Sequence, residues 1–578
     1  MSEPTGPVTA DPRDLSPTAD AVLRSEVEAA VRRPGAIELI ALVPAALVLL
    51  CSVASDMVAL LGGDPLGIWR LLPAGPVTGD WVSAEVSSTA FLLVGIALIR
   101  RKRVGYWMAL AMVAGGLIVQ GITLDHPVSA VAAAAVAVVL VATRNRYDAG
   151  TGRRELVLAI ALLGTALVLA AGAAIAAAND ADDIVTVADG VGALLDLATP
   201  VAVPGLATLG TLLVVGRIAY VFATVLILDP RPDDRAPDVL VRARSTLELV
   251  GCGALYPYQL APECTAWADD AGTAALAVAH VGRVDVALGD PAGPPAGATA
   301  VVGSWLDHCR RSDVVPVVYQ ATAALSRRLR ARGWLSVAIG REAVLDPLAF
   351  DLSTPRMANL RHTITRSRKG GVSTMWFADG LRSVPDPLVA AGLVALDAAW
   401  RKTAGPQMGF TVGRFEPEAT GRSALAVALA ADGTPTAFCV LRPSGADGGW
   451  MLDIMRRERN GVPGALEASL ETAIAGLAAA GVRRLSLGLA PLAGLDPASP
   501  SRSERWLART ARLARPIYNT DGLAFFKDKF APDWEPRFLL VPGWTSLSTA
   551  IIALLRLHLG GSWTRVVRSV ASGLAQAR

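Results

Sequence analysis

The segment Ile517–Trp534, IYNTDGLAFFKDKFAPDW, carries residue types that could do acid–base or anion-binding chemistry. The chain has 54 Lys plus Arg but only five lysines, and two of these, Lys527 and Lys529, fall in one KDKF tetrad. A compact ammonium and a planar guanidinium are not interchangeable at a binding site. A lysine used against so strong an arginine preference indicates a specific task, although a solvated turn explains the tetrad equally well.

A second group of chemically useful residues ends a predicted strand, Trp450–Met455, in the run LDIMRR. Strand alternation predicts that Asp453 and Met455 share a face and that Arg456 leaves toward the following loop. The helix after this loop begins with free backbone N–H groups, which favour an anion. The alternative interpretation of Asp453 and Arg456 is a structural ion pair.

The elements that must position these residues form a mixed α/β pattern that occurs twice. In the second half, two strands joined at Asp432-Gly433 predict a hairpin, and a third strand, a helix and a fourth strand follow. An antiparallel meander followed by a helix and a strand, present twice, resembles tandem acyltransferase domains of the GNAT type. The predicted elements are strands or hairpins at Ala274–Val286, Val314–Gln320, Trp334–Ile339, Ala424–Ala431, Thr436–Arg442, Trp450–Met455 and Val482–Leu489, and helices at 298–312, 321–332 and Ala465–Ala480.

The first 230 or so residues have a different composition, because they contain most of the apolar excess behind the mean hydropathy of +0.44. Six stretches there approach or reach the roughly 20 residues that a membrane-spanning helix needs. Basic and non-basic loops alternate, which places the N-terminus and everything after Asp229 in the cytoplasm. Arg217 is the main charge within these stretches, and such a charge indicates function or a lipid headgroup contact. The stretches are 36–61, 84–99, 104–124, 127–142, 155–178 and 201–228.

The cysteine, histidine and charge content argue against several kinds of functional site in this chain. The five cysteines form no CxxC pair, which fits unpaired thiols in a reducing compartment. The five histidines show no metal-ligand spacing, so no metal site is predicted. The loop that begins at Arg459 misses the R/Q-x-x-G-x-G/A register of acetyl-CoA binding, and no cofactor is predicted. The net charge of +3 implies no global basic field.

Seven segments between about 250 and 540 occur in a characteristic order. They are VVYQ (Val317–Gln320), the run Ala338–Leu352 with GREAVLD, NLRHTITRSRKGG (Asn359–Gly371), WMLDIMR (Trp450–Arg456), PGALEASL (Pro463–Leu470), LGLAPLAGL (Leu487–Leu495) and YNTDGLAFFKDKFAPDWEPRF (Tyr518–Phe538). Together they resemble the catalytic domain of the multiple peptide resistance factor family, the phosphatidylglycerol lysyltransferases and alanyltransferases. Among its members, the chain resembles the shorter form, which lacks the additional spans that flip the product.

The resemblance implies a reaction at the inner leaflet of a bacterial cell membrane. An aminoacyl group, lysyl first and alanyl next, passes from aminoacyl-tRNA to a hydroxyl of phosphatidylglycerol. The product lowers the negative charge of the membrane and gives resistance to cationic antimicrobial peptides. Two alternatives stay open: transfer to another acceptor, such as diacylglycerol or a peptidoglycan precursor, and a non-catalytic lipid-binding or transport protein. A homo-oligomer is also left open.

The resemblance also implies roles for individual residues. The catalytic group is Asp453, Arg456 and Lys527. Arg456 would hold a phosphate and Lys527 a second anion or the oxyanion, while Asp453 would orient Arg456, hold the ammonium of the amino acid or act as base. The substrate-binding group is Tyr518, Asn519, Lys529, Glu467, Arg361 and Tyr319. Independently of the resemblance, the basic cluster of Arg366, Arg368 and Lys369 is predicted to bind tRNA phosphate; it suits anionic lipid equally well, and a plain solvated surface is the commoner explanation of such a cluster.

The predicted domain organisation follows from these observations. The tail combines an apolar run with basic residues and is predicted to lie on the bilayer as an amphipathic segment, with a terminal packing helix as the alternative. The predicted parts are a disordered cytoplasmic lead (1–35), a six-helix transmembrane domain (36–230), a linker (231–240), a first GNAT-like subdomain (241–370), a second, catalytic GNAT-like subdomain (371–545) and the tail (546–578).

Overall fold

The structure is a computed structural model of the chain. It describes residues 36–61, 81–123, 127–147, 149–151, 153–178, 215–221, 235–403, 408–415, 423–492 and 520–560. These residues belong to two compact units. One unit comprises the described residues from 235 to 307 and from 315 to 560, and the other comprises those from 36 to 221 together with 308–314. The predicted disordered lead lies outside the described residues.

The smaller unit is helical in its described part, and its helices coincide with the first five predicted apolar stretches. They pack through a core that includes Val48, Val94 and Leu140. In the part of the chain that the structure describes, no helix is both long enough and apolar enough to cross a membrane. The six-helix membrane domain is therefore unconfirmed. The helices are α1 (Ala36–Leu61), α2 (Trp81–Ile99), α3 (Arg103–Thr123), α4 (Pro127–Ala142) and α5 (Arg153–Ala178).

Arg217, the main charge predicted within an apolar stretch, has a carboxylate partner in this unit. Its two terminal nitrogens donate to the two oxygens of Asp56, each at 2.9 Å. One of them also donates to the hydroxyl of Ser88 at 2.5 Å. The guanidinium is thus buried with an anion and a hydroxyl beside it, as a buried charge requires.

The larger unit is built on one eleven-stranded sheet with the order β1-β2-β3-β4-β11-β5-β10-β9-β8-β7-β6. Most predicted strands are present, with ends that differ by a few residues, and β5 is longer than predicted. The strands are β1 (Cys264–Ala268), β2 (Ala275–Val281), β3 (Val284–Leu288), β4 (Val315–Ala321), β5 (Leu335–Leu345), β6 (Ser373–Phe377), β7 (Ala424–Leu429), β8 (Pro435–Pro443), β9 (Trp450–Arg457), β10 (Leu485–Pro491) and β11 (Asp533–Val541).

Nine described helices accompany this sheet. Apolar residues of α10, α12 and strands β5 and β7–β10 form one core, and those of α14 and strands β1–β5 and β11 form another. The helices are α6 (Pro237–Val250), α7 (Tyr256–Gln259), α8 (Pro295–Ser312), α9 (Ala323–Ala331), α10 (Ala358–Lys369), α11 (Pro387–Thr403), α12 (Ala465–Ala479), α13 (Thr520–Asp528) and α14 (Trp544–His558).

The sheet contains the same unit twice, which confirms the predicted tandem GNAT-like fold. Both halves contain three consecutive antiparallel strands (β1–β3 and β7–β9), a helix, a strand parallel to the third, a second helix and a last strand, and the second half begins with one additional antiparallel strand, β6. The last strands are exchanged: β11 of the second half pairs with β4 of the first, and β5 of the first half pairs with β10 of the second. The predicted boundary at residue 370 therefore separates two sequence halves that share one continuous sheet.

The two halves differ at their parallel strand pair. In the first half, β3 and β4 pair at five positions, from Val284 with Val315 to Leu288 with Tyr319. In the second half, β9 and β10 pair only where Trp450 and Met451 meet Leu485 and Ser486. Beyond these residues the strands separate, and the backbone of β9 from Leu452 onward has no ladder partner in β10. This opening is the feature that positions the candidate site.

The C-terminal helix α14 corrects one prediction. Its apolar residues, among them Leu547, Ala550, Leu554 and Leu557, are buried in the core formed with the first strands. This face is covered by protein, so it cannot lie on a bilayer, and the packing-helix alternative is the correct one for Trp544–His558. Residues 561–578 lie outside the described residues.

Candidate active site

A β-bulge shapes strand β9 at Asp453. Ile454 pairs with Val440 and Leu452 with Leu441, so Asp453 has no partner in β8. The extra residue interrupts the alternation of side chains along the strand. Leu452 consequently packs in the core with α12, whereas Ile454 packs in the core with α11. The predicted regular alternation that places Asp453 and Met455 on one face is wrong at this position.

The carboxylate of Asp453 is almost fully buried and has two partners. The hydroxyl of Tyr258 in α7 donates to Oδ1 at 2.8 Å. The Nε of Arg442 in β8 lies 2.9 Å from Oδ2, an ion pair whose angle falls outside hydrogen-bond geometry. Burial raises the pKa of Asp453, against the lowering effect of Arg442. Gly413 covers the carboxylate so closely that a Cβ there would lie 2.6 Å from its carboxyl carbon.

Arg456 does not pair with Asp453 as the sequence suggested, because it has its own carboxylate. Its Nε donates to Oδ1 of Asp397 in α11 at 2.7 Å, and a terminal nitrogen donates to the carbonyl of Met455 at 3.0 Å. Its guanidinium lies 3.8 Å from the ring centroid of Trp400, a cation–π contact. Strand β9 continues to Arg457, so Arg456 is held within the strand and does not leave toward the loop.

Lys527 lies at the opening between β9 and β10. Its Nζ donates to the carbonyls of Gly488 at 2.9 Å and Leu489 at 2.8 Å. A Cβ placed on Gly488 would lie 3.6 Å from this Nζ and 4.0 Å from the carbonyl oxygen of Leu452, which locates the amine beside β9 as well. Burial lowers the pKa of Lys527 to about 7, against the raising effect of Glu342. The amine is therefore divided between charged and neutral forms near neutral pH.

These contacts define what the arrangement can do. Two carbonyls accept two hydrogens from Nζ, so its remaining position is a lone pair in the neutral form and an N–H in the charged form. A group of this kind can accept a proton from a hydroxyl and return it within one reaction. The guanidiniums of Arg442 and Arg456, on strands β8 and β9, are suited to a phosphate or a developing oxyanion.

The other predicted substrate-binding residues are placed as follows. Lys529 and Glu467 form an ion pair of 2.8 Å, so they neutralise each other. Arg361 is exposed and donates to the carbonyls of Leu352 and Thr354. Tyr319 is partly buried in the core with α14, where its ring stacks on Phe410, and its substrate contact stays a prediction. Tyr518 and Asn519 lie outside the described residues.

The predicted tRNA-phosphate residues lie together at the end of helix α10. Arg366 contacts Nε2 of His362 at 3.0 Å, and Arg368 donates to Glu471 at 2.8 Å with half of its side chain exposed. Lys369 is exposed at the last position of the helix. The cluster is accessible, and its role in binding tRNA stays a prediction.

A partly buried histidine, His558, anchors the segment that covers Asp453. Nδ1 of His558 lies 2.7 Å from the carbonyl of Leu554, so Nδ1 carries the proton and Nε2 accepts the hydroxyl of Thr411 at 3.1 Å. The amide of Gly409 donates to the carbonyl of His558 at 2.8 Å. Residues 408–415, which include Gly413, are thereby tied to the end of α14.

This arrangement predicts a loss of stability in mild acid. Burial lowers the pKa of His558 below its ordinary 6.5, so the unfolded chain binds the proton more readily than the folded one. The contribution of His558 to the free energy of unfolding is complete above about pH 6.5. It declines as the pH falls from there toward the pKa of the folded state, by about 1.4 kcal/mol per pH unit. The thermal midpoint of the purified chain, measured between about pH 5 and 8, checks this. His558→Gln should flatten the decline of the thermal midpoint with falling pH, whereas His362→Gln, at an exposed position, should leave it unchanged. Equal slopes for the wild type and both variants would contradict the prediction.

Four site residues were not predicted from the sequence: Tyr258, Asp397, Trp400 and Arg442. Each contacts Asp453 or Arg456 only because distant segments converge on β9. One local signal could have found two of them: the i, i+3 spacing of Asp397 and Trp400 places both on one side of a helix, here α11.

The fold and the site define an acyltransferase-like domain whose second half has an open parallel strand pair beside a buried amine. Residues 258–541 match the family model described as "Phosphatidylglycerol lysyltransferase, C-terminal". This region of the chain is therefore a domain of the phosphatidylglycerol lysyltransferase family.

Named relatives share this part of the chain. A "Lysylphosphatidylglycerol biosynthesis bifunctional protein LysX" from Mycobacterium avium is 28% identical over 340 residues, which are 56% of this chain and 28% of the relative. The protein of the same name from Mycolicibacterium vanbaalenii is 30% identical over 276 residues, 46% of this chain and 24% of the relative. The chain thus spans less than a third of the length of these relatives.

Solved structures resemble the same region. The C-terminal domain of a putative lysylphosphatidylglycerol synthetase from Agrobacterium fabrum is 24% identical, with a TM-score of 0.48, and the match covers 56% of this chain and 98% of that one. The structure of L-PGS from Bacillus licheniformis is 22% identical, with a TM-score of 0.48, and the match covers 58% of this chain and 98% of that one.

Proposed function

We propose that this chain transfers an aminoacyl group from aminoacyl-tRNA to a glycerol hydroxyl of phosphatidylglycerol, with lysyl as the first choice of amino acid and alanyl as the second. The observation that carries the proposal is the buried amine of Lys527, which donates to the carbonyls of Gly488 and Leu489 at the opening between β9 and β10. Membership of this domain in the phosphatidylglycerol lysyltransferase family supports the choice of acceptor.

The chemistry exchanges one ester for another. The lipid hydroxyl attacks the carbonyl carbon of the aminoacyl ester, and neutral Lys527 takes the hydroxyl proton. The bond to the ribose oxygen then breaks, and Lys527 returns the proton to that oxygen. The donor ester is already activated, so orientation, proton transfer and oxyanion stabilisation are the tasks left to the protein.

The surrounding charges suit anionic substrates. Arg442, held against the buried Asp453, is part-exposed and presents a guanidinium to a phosphate. Arg456, fixed by Asp397 and Trp400, would stabilise the developing oxyanion or a second phosphate. Asp453 has both oxygens engaged, so its task is to hold Arg442, and it does not serve as the base.

Location at the inner leaflet of the cell membrane is part of the proposal. The apolar composition of residues 36–230 and the alternation of basic and non-basic loops support it. Membrane fractionation of expressing cells, followed by protease treatment of intact and inverted vesicles, tests it. Recovery of the chain away from the membrane fraction would contradict this part of the proposal.

Lipid analysis of cells that express the chain tests the proposed reaction. We expect a new amine-containing lipid in cells with the wild type, whose mass identifies both the amino acid and the acceptor. Lys527→Met should abolish this lipid, and Lys402→Met, which changes an exposed lysine, should not. A product mass that indicates diacylglycerol or a peptidoglycan precursor would replace the acceptor, and no new lipid from an abundant protein would favour a non-catalytic lipid-binding function.

A further inference from the structure

Glu342, in β5, is a buried carboxylate on which three donors converge. The hydroxyl of Ser486 donates to Oε1 at 2.5 Å. Nε of Arg537 donates to Oε2 at 2.7 Å, and a terminal nitrogen of Arg537 lies 2.5 Å from the same oxygen. Charge-assisted hydrogen bonds of this kind fix both partners in position. Glu342 is therefore a rigid point in the middle of the sheet, next to β10.

Ser486 links this carboxylate to the backbone that holds Lys527. The register between β10 and β5 shifts between Ser486 and Leu489, and the amide of Gly488 donates to the Ser486 hydroxyl at 3.0 Å. Gly488 has a φ of 80°, a left-handed conformation that favours glycine. The carbonyls of Gly488 and Leu489 in this bulge are the two acceptors of the Lys527 amine.

Among the described residues, the charged groups around Lys527 differ in their effect on it. Within β10, Leu485–Pro491 contributes no titratable side chain. The charge that acts on the amine is that of Glu342, which favours the ammonium against the opposite effect of burial. The other charged groups on the elements packed around Lys527 each have an ion-pair partner or are exposed. Asp528, at the end of α13, is exposed, and Lys529, which follows it, pairs with Glu467 of α12. On β11 Arg537 pairs with Glu535, and on β9 Asp453 and Arg456 pair with Arg442 and Asp397.

We propose that Glu342 is a positioning residue for Lys527. Through Ser486 and the bulge it fixes the amine at the opening of the sheet, and its negative charge sets the balance between ammonium and free amine. The inference deepens the proposed transfer reaction and rests on it for its kinetic readout.

Glu342→Gln separates the charge from the shape of this side chain. The acid limb of the pH–rate profile for lipid aminoacylation should move to lower pH by about one unit, because the ammonium loses the carboxylate that favours it. Glu535→Gln is the matched control, since it removes another carboxylate partner of Arg537 without a direct effect on Lys527, and its acid limb should stay in place. An unmoved limb in folded Glu342→Gln would overturn the role of the charge.

Ser486→Ala tests the positioning role without changing the charge. It removes the link between Glu342 and the Gly488 amide, so kcat should fall about tenfold while the acid limb stays where it is in the wild type. An unchanged kcat would overturn the positioning role. This variant also keeps the proposal testable if Glu342→Gln fails to fold.

A titration that needs no activity distinguishes failure of this inference from failure of the proposed function. The chain has five lysines, so 13Cε-lysine labelling of the full chain gives few resonances, and Lys527→Arg assigns the relevant one. The Lys527 resonance should titrate near pH 7 in the wild type and at lower pH in Glu342→Gln. If the wild type makes no lipid product but the resonance behaves in this way, only the proposed function fails. A Lys527 resonance that titrates at the same pH in both proteins refutes the inference.

Discussion

Lys527→Met is expected to abolish aminoacyl transfer while the fold survives. The amine is buried and, within the part of the chain that the structure describes, no carboxylate lies within ion-pair distance of it. Its charged form therefore carries a desolvation cost that methionine does not have. The carbonyls of Gly488 and Leu489 lose a donor in exchange, which offsets part of this gain. We expect kcat to fall by about 10² to 10⁴, the range for loss of a general base, and the thermal midpoint to change by only a few degrees.

The pH dependence of the wild type identifies which form of Lys527 works. A general base must be neutral, so the rate should rise with pH through the pKa of about 7 and then level off. A rate that falls through the same region would show that the ammonium is the active form, with oxyanion stabilisation as its task. Lys402→Met serves as the control in these profiles, because Lys402 is exposed near the end of α11.

The elements of this fold could be predicted from the sequence because their signals are local. Alternating apolar residues and the Asp432-Gly433 turn indicate the β7–β8 hairpin, and the end of α12 follows from Gly481. The exchange of β5 and β11 could not be predicted in this way. Both are apolar strands near the end of a half, and their composition does not say which neighbour completes their ladders.

The C-terminal helix illustrates the same limit. An apolar face beside basic residues is equally suited to a protein core and to a bilayer surface. In the structure, Leu547 and Ala550 pack against the strands of the first half, so the apolar face of α14 belongs to the protein core. Only the tertiary partner distinguishes these cases, and a helical periodicity does not specify it.

The residue types at the candidate site could be predicted from the sequence, but the contacts between those residues could not. Lys527 was found because lysine is rare in the chain, and Asp453 and Arg456 were found at the end of a predicted strand, with their catalytic roles assigned through the resemblance to a family. Their pairing was predicted wrongly because the bulge at Asp453 is a property of two strands and not of one. Tyr258 and Arg442, the true partners of Asp453, lie 195 and 11 residues away along the chain, and the sequence does not show that they meet.

Asp397→Ala is expected to have the largest effect on stability of any single change at the site. Asp397 is buried and holds two guanidiniums: Nε of Arg456 at 2.7 Å and Nε of Arg401 at 2.8 Å. Arg401 is nearly half exposed and can turn to water, but Arg456 is only 8% exposed and would keep an uncompensated charge. Removing one partner of a buried ion pair costs about 3 to 5 kcal/mol. Denaturant unfolding of the purified chain measures this loss.

A double variant separates the stability of this pair from its chemistry. Asp397→Ala with Arg456→Met removes both charges, so most of the lost stability should return, because no buried guanidinium is left without a partner. Transfer should stay absent, since the proposed anion-binding group is gone. Glu471→Ala is the matched control: its partner Arg368 is half exposed, and the loss should stay below about 1 kcal/mol. If the double variant recovered transfer together with stability, Arg456 would have no part in the reaction and would serve the fold alone.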